Sequence, residues 1–139
     1  MAAGTRLSET YYWDLNDRTR SFQARIKDKV TLWPNMSQAG NYSCTLHYLK
    51  AVKDMGAANA RLDGAATVAR MKAIPTDDDC FGPGSIRADG RKLHPAYLWQ
   101  VKTPEQSKGP WDYYSPVAST PADLAFRPMD QGGCALGRA

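Results

Sequence analysis

The stretch LSETYYWDLND, residues 7–17, decides the fold of this chain of 139 residues. Leu7–Trp13 ends in three consecutive aromatic side chains and is typical of a strand that runs into a loop. Asp14, Asn16 and Asp17 follow, with side-chain oxygens that can accept hydrogen bonds from the first amides of a helix. A strand that feeds a helix indicates an α/β architecture.

Three segments after this stretch have the periodicity of helices. Residues 18–30 place apolar side chains at four-residue spacing, namely Phe22, Ile26 and Val30. The strongest pattern lies in residues 37–55, where apolar residues recur every three or four positions, namely Tyr42, Leu46, Leu49 and Val52. We expect Gly56 to end this helix, and Asp63 to cap a third helix that Pro75 stops.

From residue 81 onward the pattern changes to turns and short strands. Asp89–Gly90 is a hairpin signal, and the alternation in residues 96–102 predicts a half-buried strand with Trp99 on one face. Residues 111–118 predict one more strand, so antiparallel additions follow the helices. A single early strand leaves backbone donors and acceptors unpaired. We therefore interpret Leu7–Trp13 as pairing with a sheet that lies before Met1 in sequence.

Composition and charge are those of an ordinary soluble globular chain. Hydrophobic residues make up 42%, charged residues 23%, and the net charge is +4. The basic residues alternate with acidic ones, which disfavours a nucleic-acid partner, and the densest basic group is interpreted as a solvated helix face: Arg18, Arg20, Arg25, Lys27 and Lys29. No apolar run predicts membrane insertion, and the residues around Arg6 lack the apolar core of a secretory signal.

The three cysteines leave two interpretations open. Cys44 lies within a helical pattern and is predicted to be a buried free thiol. Cys80 and Cys134 both lie in turn-rich sequence, and a disulfide between them would tether the tail to the middle of the chain. In an oxidising compartment such a bridge is worth about 3–5 kcal/mol. Three unpaired thiols fit the spacing equally well.

The polar residues contain no set that predicts catalysis, a metal or a cofactor. The consecutive residues Asp77–Asp79 have diverging side chains, which favours a solvated loop over a calcium site. The only histidines are His47 and His94. Ser43 shares a helix face with His47, but the helix bonds the amides that would form an oxyanion hole, so we predict that the protein is not an enzyme.

The aromatic run at the end of the first strand is the best candidate for ligand contact. Ligands of open α/β sheets bind in the crevice beyond the carboxyl ends of the strands. Tyr11, Tyr12 and Trp13 lie at such an end, where their faces could stack on an apolar or aromatic solute. The alternative is that they belong to the core or cover the end of a helix.

An ordered series of motifs from Gly4 to Leu136 resembles a known family. It consists of Tyr12–Asn16, Gly40–Ser43 leading into His47–Val52, Ile86–Arg91, Tyr97–Lys102, Ser107–Tyr114, and Ala125–Pro128 through to Cys134. Together these resemble the final third of periplasmic solute-binding proteins of the branched-chain amino-acid ABC transporter type, the leucine-binding-protein-like proteins. Each motif alone is weak, whereas their collinear order is specific.

The resemblance implies the C-terminal part of a two-lobed fold that closes around a cleft by a hinge motion. Such an incomplete domain would contain helices, an early sheet strand and late antiparallel strands. Residues 4–75, with the early strand and the helices, would belong to the C-terminal lobe. Residues 76–139 would form a hairpin, return to the N-terminal lobe and end in a tail. With everything before Gly4 missing, we expect the chain alone to be poorly packed or to aggregate through bare strand edges.

The resemblance also implies a function. The protein would be the periplasmic component of an ABC transporter that binds a small solute, an amino acid or a related amide or aromatic compound, and docks on a membrane permease. The ligand-binding residues would be Tyr12, Trp13, Gln38 and Ala39, the last two around the entry of the helix that begins near Ser37. A cytoplasmic amide or amino-acid sensor of the same fold is the alternative.

Overall fold

The computed structural model describes residues 3–133. Helices precede most of the strands, and the elements are, in chain order, β1 (Arg6–Glu9), α1 (Asp17–Ile26), α2 (Met36–Met55), α3 (Ala57–Leu62), α4 (Gly64–Ala73), β2 (Thr76–Asp78), β3 (Gly82–Ile86), β4 (Lys92–Leu93), β5 (Ala96–Val101), β6 (Tyr114–Thr120) and a 3-10 turn (Met129–Gln131). Two antiparallel sheets form, in the orders β1-β5-β6 and β2-β3-β4. The predicted α/β class with late antiparallel strands is confirmed.

The first strand pairs with a late strand of the same chain. β1 runs antiparallel to β5, with Leu7 opposite Trp99 and Glu9 opposite Tyr97. The interpretation that this strand needs a sheet before Met1 is therefore wrong, because a partner far along the chain leaves no trace in local periodicity. β1 also ends at Glu9 rather than Trp13, since Tyr11 enters the core instead of continuing the ladder.

Helix α1 begins where the capping residues predict and ends early. The Asn16 side chain accepts from the Thr19 amide at 3.1 Å, and the Thr19 hydroxyl accepts from the Asn16 amide at 3.1 Å. The predicted extension to Val30 is wrong. The chain turns after Ile26, whose carbonyl accepts from the Lys29 amide at 2.8 Å, and Val30 is exposed.

Helix α2 has the predicted extent but buries a different face. Gly56 ends it with a φ of 82°, as expected for a glycine at this position. The apolar residues that predicted the helix are not its most deeply buried ones, since Leu49 is 53% exposed and Tyr42, Leu46 and Val52 are only partly covered. The buried residues are instead Ala39, Ser43, His47 and Ala51.

The second cap and the hairpin turn follow the sequence prediction. The Asp63 side chain accepts from the Ala66 amide at 2.9 Å at the start of α4, and Pro75 follows the end of that helix. Strands β3 and β4 pair antiparallel across the Asp89–Gly90 turn, where Gly90 has a φ of 86°. Both predictions are confirmed.

The core joins the end of β1 to the helices and to the loop after β2. Its buried residues are Tyr11, Phe22, Ala39 and Cys80. Cys44 is exposed, so its predicted burial is wrong: the buried face of α2 passes through its neighbour Ser43. Cys134 lies outside the described residues, and its bridge to Cys80 stays a prediction.

The acidic run Asp77–Asp79 is ordered by ion pairs, and its middle residue is buried. Asp78 is buried, and one of its carboxylate oxygens lies 2.6 Å from the Lys92 ammonium while the other accepts from the amides of Cys80 and Phe81. The prediction of a solvated loop is therefore wrong for Asp78. Its neighbours diverge from it, as expected, and pair with Arg18 and Arg25 of α1.

The assignment of residues 4–75 and 76–139 to two lobes stays a prediction. None of the helices in residues 3–133 combines the length and the apolar character that a bilayer crossing requires.

Candidate ligand-binding site

A cavity of about 270 Å³ lies between the end of β1, the loop before α2 and the turn before β6. We call it the aromatic pocket. Its lining residues come from three segments that are distant in sequence, and they are Glu9, Tyr11, Tyr12, Trp13, Leu32, Trp33, Pro34, Asn35, Gln38, Trp111, Tyr113 and Tyr114.

The carbonyl oxygen of Trp111 holds the wall of the pocket together. It accepts hydrogen bonds from the Tyr12 hydroxyl and from the Trp13 indole, each at 2.8 Å. The Tyr12 hydroxyl in turn accepts from the amide of Tyr113 at 2.9 Å. Trp111 is the one described non-glycine residue with a positive φ, 69°, so backbone strain is held where these bonds converge.

A buried ion pair fixes the turn that carries Trp111. The Asp112 carboxylate pairs with the Lys102 ammonium and also accepts from the Lys108 amide at 2.8 Å. The hydrogen bonds from these two groups hold the pKa of Asp112 below its usual range. The turn is therefore tied to the end of β5, and this positions the Trp111 ring.

Three tryptophan rings meet in the aromatic pocket. The Trp33 ring stands edge-on to Trp13, with centroids 4.8 Å apart and an interplanar angle of 81°. The same ring lies nearly parallel to Trp111, at 6.0 Å and 12°. Edge-to-face and offset-stacked pairs are the arrangements that aromatic quadrupoles favour. The rings thus form a fixed apolar surface on which a solute could rest.

Two residues that line the pocket each have a buried polar atom without a hydrogen-bond partner within residues 3–133. Oε2 of Glu9 and the hydroxyl of Tyr11 are both buried, and neither has a hydrogen-bond partner there. Burial raises the pKa of Glu9 above that of an exposed glutamate. Burial also raises the pKa of Tyr11, so its hydroxyl stays protonated at neutral pH.

The structure brings together three of the four predicted ligand residues. Tyr12, Trp13 and Gln38 all line the aromatic pocket, and the Gln38 side chain accepts from the Asn35 amide at 3.1 Å. Ala39 is fully buried in the core beside Tyr11 and does not line the pocket. Ligand binding by these four residues stays a prediction.

Sequence reasoning missed the other half of the pocket. Trp33 follows the helix predicted for residues 18–30 and belongs to no motif, and Trp111 only begins the strand predicted for residues 111–118. Glu9 lies within the predicted first strand and carries no motif. The available signal was the number of tryptophans, four in 139 residues, of which three line this one cavity.

A larger cleft of about 740 Å³ also borders the start of α2. Two of its basic side chains are engaged in ion pairs. Arg87 forms an ion pair with Asp89 at 2.5 Å and Lys92 pairs with Asp78. The His94 ring stacks on Phe81 at 4.5 Å, and burial lowers its pKa.

The comparison with known proteins identifies the family. The family model described as periplasmic binding protein matches residues 1–110. The chain belongs to this family. A periplasmic binding protein from Burkholderia mallei is 36% identical, with a TM-score of 0.86 over 97% of this chain. A branched-chain amino-acid ABC transporter periplasmic ligand-binding protein from Burkholderia xenovorans is 37% identical, with a TM-score of 0.84 over 98%.

The chain spans 35% of the length of each of these two relatives. More distant structures share the fold alone, such as a leucine-, isoleucine-, valine-, threonine- and alanine-binding protein from Brucella ovis. That protein is 14% identical, with a TM-score of 0.75 over 91% of this chain and 33% of its own. No curated protein matches the sequence.

Membership of a family of binding proteins agrees with the arrangement of the polar residues. The His47 ring bonds to the Met71 carbonyl at 2.8 Å, while Ser43 donates to Asp78 at 2.7 Å. The serine and the histidine of this helix face are therefore directed at different partners. Among the described residues, no group of three or more His, Cys, Asp or Glu side chains could hold a metal ion.

Proposed function

We propose that this protein acts outside the cytoplasm as the solute-binding component of an ABC transporter for amino acids or related amide and aromatic compounds. The observation that carries the proposal is the 37% identity over 98% of the chain to the Burkholderia xenovorans protein, whose described role is branched-chain amino-acid transport. In this proposal the membrane partner is the permease of that transporter.

We further propose that the aromatic pocket contributes to the solute site. Supporting this, the predicted residues Tyr12, Trp13 and Gln38 lie on one cavity, and that cavity has ring faces for an apolar portion of a solute. The hydrogen bonds on the Trp111 carbonyl hold the rings in place, so little ordering is needed when a solute enters.

The proposal is tested by calorimetric titration of the protein with a panel of amino acids, their amides and aromatic carboxylates. We expect at least one of these to bind. Trp33→Leu should weaken its binding about tenfold, because a solute would lose an aromatic contact. Tyr48→Leu is the matched control, since Tyr48 is an exposed aromatic of α2 that does not line the pocket.

Two results would contradict the proposal. If no member of the panel binds, the transport role assigned to these residues fails. If a solute binds equally well to the wild-type protein and to Trp33→Leu, solute binding stands but the aromatic pocket is not its site.

A further inference from the structure

The cleft of about 740 Å³ beside the start of α2 is lined by charges of mostly one sign. We call it the basic cleft. Among the described residues it has one acidic lining residue, Asp89, and four basic ones, which are Arg87, Arg91, Lys92 and Arg127. A concave surface lined by one sign of charge concentrates its electric field and attracts ions of the opposite sign. The basic cleft therefore favours an anion.

Acidic partners neutralise two of the four basic residues. The Arg87 guanidinium lies 2.5 Å from the Asp89 carboxylate, and the Lys92 ammonium lies 2.6 Å from the Asp78 carboxylate. Both oxygens of Asp89 are already engaged. One accepts from Nη2 of Arg87, and the other accepts from Nε of Arg87 and from the amide of Arg91. The remaining two basic residues carry the excess charge of the cleft.

Those two residues are Arg91 and Arg127. Their guanidinium groups form no ion pair with any residue of 3–133. Both residues are exposed, so an anion that enters the cleft can reach them without displacing the core. An unpaired arginine on a surface is ordinary by itself. What distinguishes these two is that they line one cleft.

Contacts between two distant segments hold Arg91 and Arg127 at the same wall. The Arg91 guanidinium lies over the Phe126 ring, with Cζ 5.4 Å from the ring centroid. Nη1 of Arg87 donates to the carbonyl oxygen of Arg127 at 2.9 Å, which ties the chain after Phe126 to the hairpin turn. A stacked guanidinium uses its face, so the N–H groups around its edge remain available to a carboxylate.

The first turn of α2 adds a donor and a favourable dipole. Ser37 lines the cleft and is exposed, and within residues 3–133 its hydroxyl has no hydrogen-bond partner. A hydroxyl can donate to an anionic oxygen. α2 is 20 residues long, and the positive end of its dipole lies at this turn. Both features act in the same direction as the two arginines.

We propose that the basic cleft binds a small organic dianion, a dicarboxylate, with Arg91 and Arg127 as its cationic contacts and Ser37 as a hydroxyl donor. Two negative charges match the two guanidinium groups that lack an acidic partner, and a carboxylate fits the planar N–H fork of arginine. The inference goes beyond the proposed function, because the basic cleft and the aromatic pocket share no lining residue.

The test compares three probes of similar length at neutral pH: succinate, its neutral analogue succinamide, and the dication of 1,4-diaminobutane. Calorimetry on the 139-residue chain measures their affinities. We expect succinate to bind about tenfold or more tightly than succinamide, because charge-assisted hydrogen bonds replace neutral ones. We expect the dication to bind least. Raising the NaCl concentration from about 0.01 M to about 0.15 M should weaken succinate binding, since salt screens exposed charges.

Variants assign the preference to the two arginines. Arg91→Gln and Arg127→Gln, made separately, should each weaken succinate binding about tenfold and leave succinamide binding unchanged. Arg61→Gln is the matched control, because it removes the same charge from an exposed residue of α3 that does not line the cleft. Circular dichroism checks that each variant folds, and if one of the two does not, the other still decides the question.

Equal affinity for succinate and succinamide overturns the inference, and so does a succinate preference that survives both Arg91→Gln and Arg127→Gln. An equal loss of affinity in Arg61→Gln also overturns it, because the preference would then reflect net charge rather than the cleft. A loss confined to the two cleft variants supports it. The proposed function is tested separately, by the amino-acid panel and Trp33→Leu, so either proposal can fail while the other stands.

Discussion

Asp78 and Glu9 differ in what surrounds their buried carboxylate oxygens. Burial raises the pKa of Asp78, but hydrogen bonds from Lys92, Ser43 and the Phe81 amide outweigh it, so the pKa lies below its usual range. Glu9 has burial without such donors, and its pKa is raised. The satisfied carboxylate stabilises the fold, whereas the Glu9 oxygen lacks a hydrogen-bond partner among residues 3–133.

Asp78→Asn should destabilise the protein at neutral pH by about 3–5 kcal/mol, because the Lys92 ammonium loses its buried partner. The pKa of Asp78 is lower in the folded chain than the ordinary value of 3.8, so its stabilisation is complete above that value. It is lost as the pH falls through the folded pKa. Urea unfolding at a series of pH values measures both effects.

Asp17→Asn is the control for that series. The Asp17 side chain is 99% exposed and its ion pair with Arg20 lies on the surface, so the free energy of unfolding should change by less than about 1 kcal/mol. An Asp78→Asn variant as stable as Asp17→Asn at neutral pH would contradict the assigned role of the buried pair.

Helix α2 shows at the scale of an element what local sequence can and cannot predict. Its end at Gly56 follows from a rule that involves only neighbouring residues. Its buried face does not, because Ser43 and His47 enter the interior by bonding to Asp78 and to the Met71 carbonyl, both far along the chain. The periodicity of apolar residues carries no information about partners so far along the chain, so it indicated the face that contains Leu49.

Replacing a glycine by alanine should change the free energy of unfolding in opposite directions at two positions, one in β3 and one in α2. A Cβ on Gly84 of β3 would lie 2.4 Å from the Leu93 carbonyl oxygen and 2.9 Å from the Thr76 hydroxyl. Gly84→Ala should therefore destabilise the protein by about 1–3 kcal/mol. A Cβ on Gly40 of α2 meets nothing within 4 Å, so Gly40→Ala should stabilise it by about 0.5–1 kcal/mol.

Denaturant unfolding followed by circular dichroism gives both values on one scale, with each glycine serving as the control for the other. A Gly84→Ala variant at least as stable as the wild type would contradict the close packing of β4 on β3, in which Ser85 pairs with Leu93.

At the scale of the whole molecule, contacts between distant segments determine both the fold and the candidate site. The pairing of β1 with β5 joins the first strand to a late one, and the aromatic pocket joins Trp13, Trp33 and Trp111. Sequence patterns identified most of the strands, although not β2, and part of the pocket, because each of those signals is local. Neither the partner of β1 nor the roles of Trp33 and Trp111 could be predicted, since both depend on contacts between segments that are distant in the sequence.

Exposed apolar side chains and open sheet edges determine how the chain should behave in solution. Several large apolar side chains are well exposed, with Leu62 at 85%, Leu124 at 73% and Leu32 at 64%. β1 and β6 are the edges of their sheet, and exposed edges are templates for pairing with another chain. We therefore expect the 139-residue chain to bind an apolar-surface dye and to form aggregates as its concentration rises.

Leu62→Gln should reduce the dye signal, whereas Lys53→Gln, an exposed change on α2, should not. Dye fluorescence and light scattering measure these effects, and a single cooperative thermal transition with no dye binding would contradict the expectation.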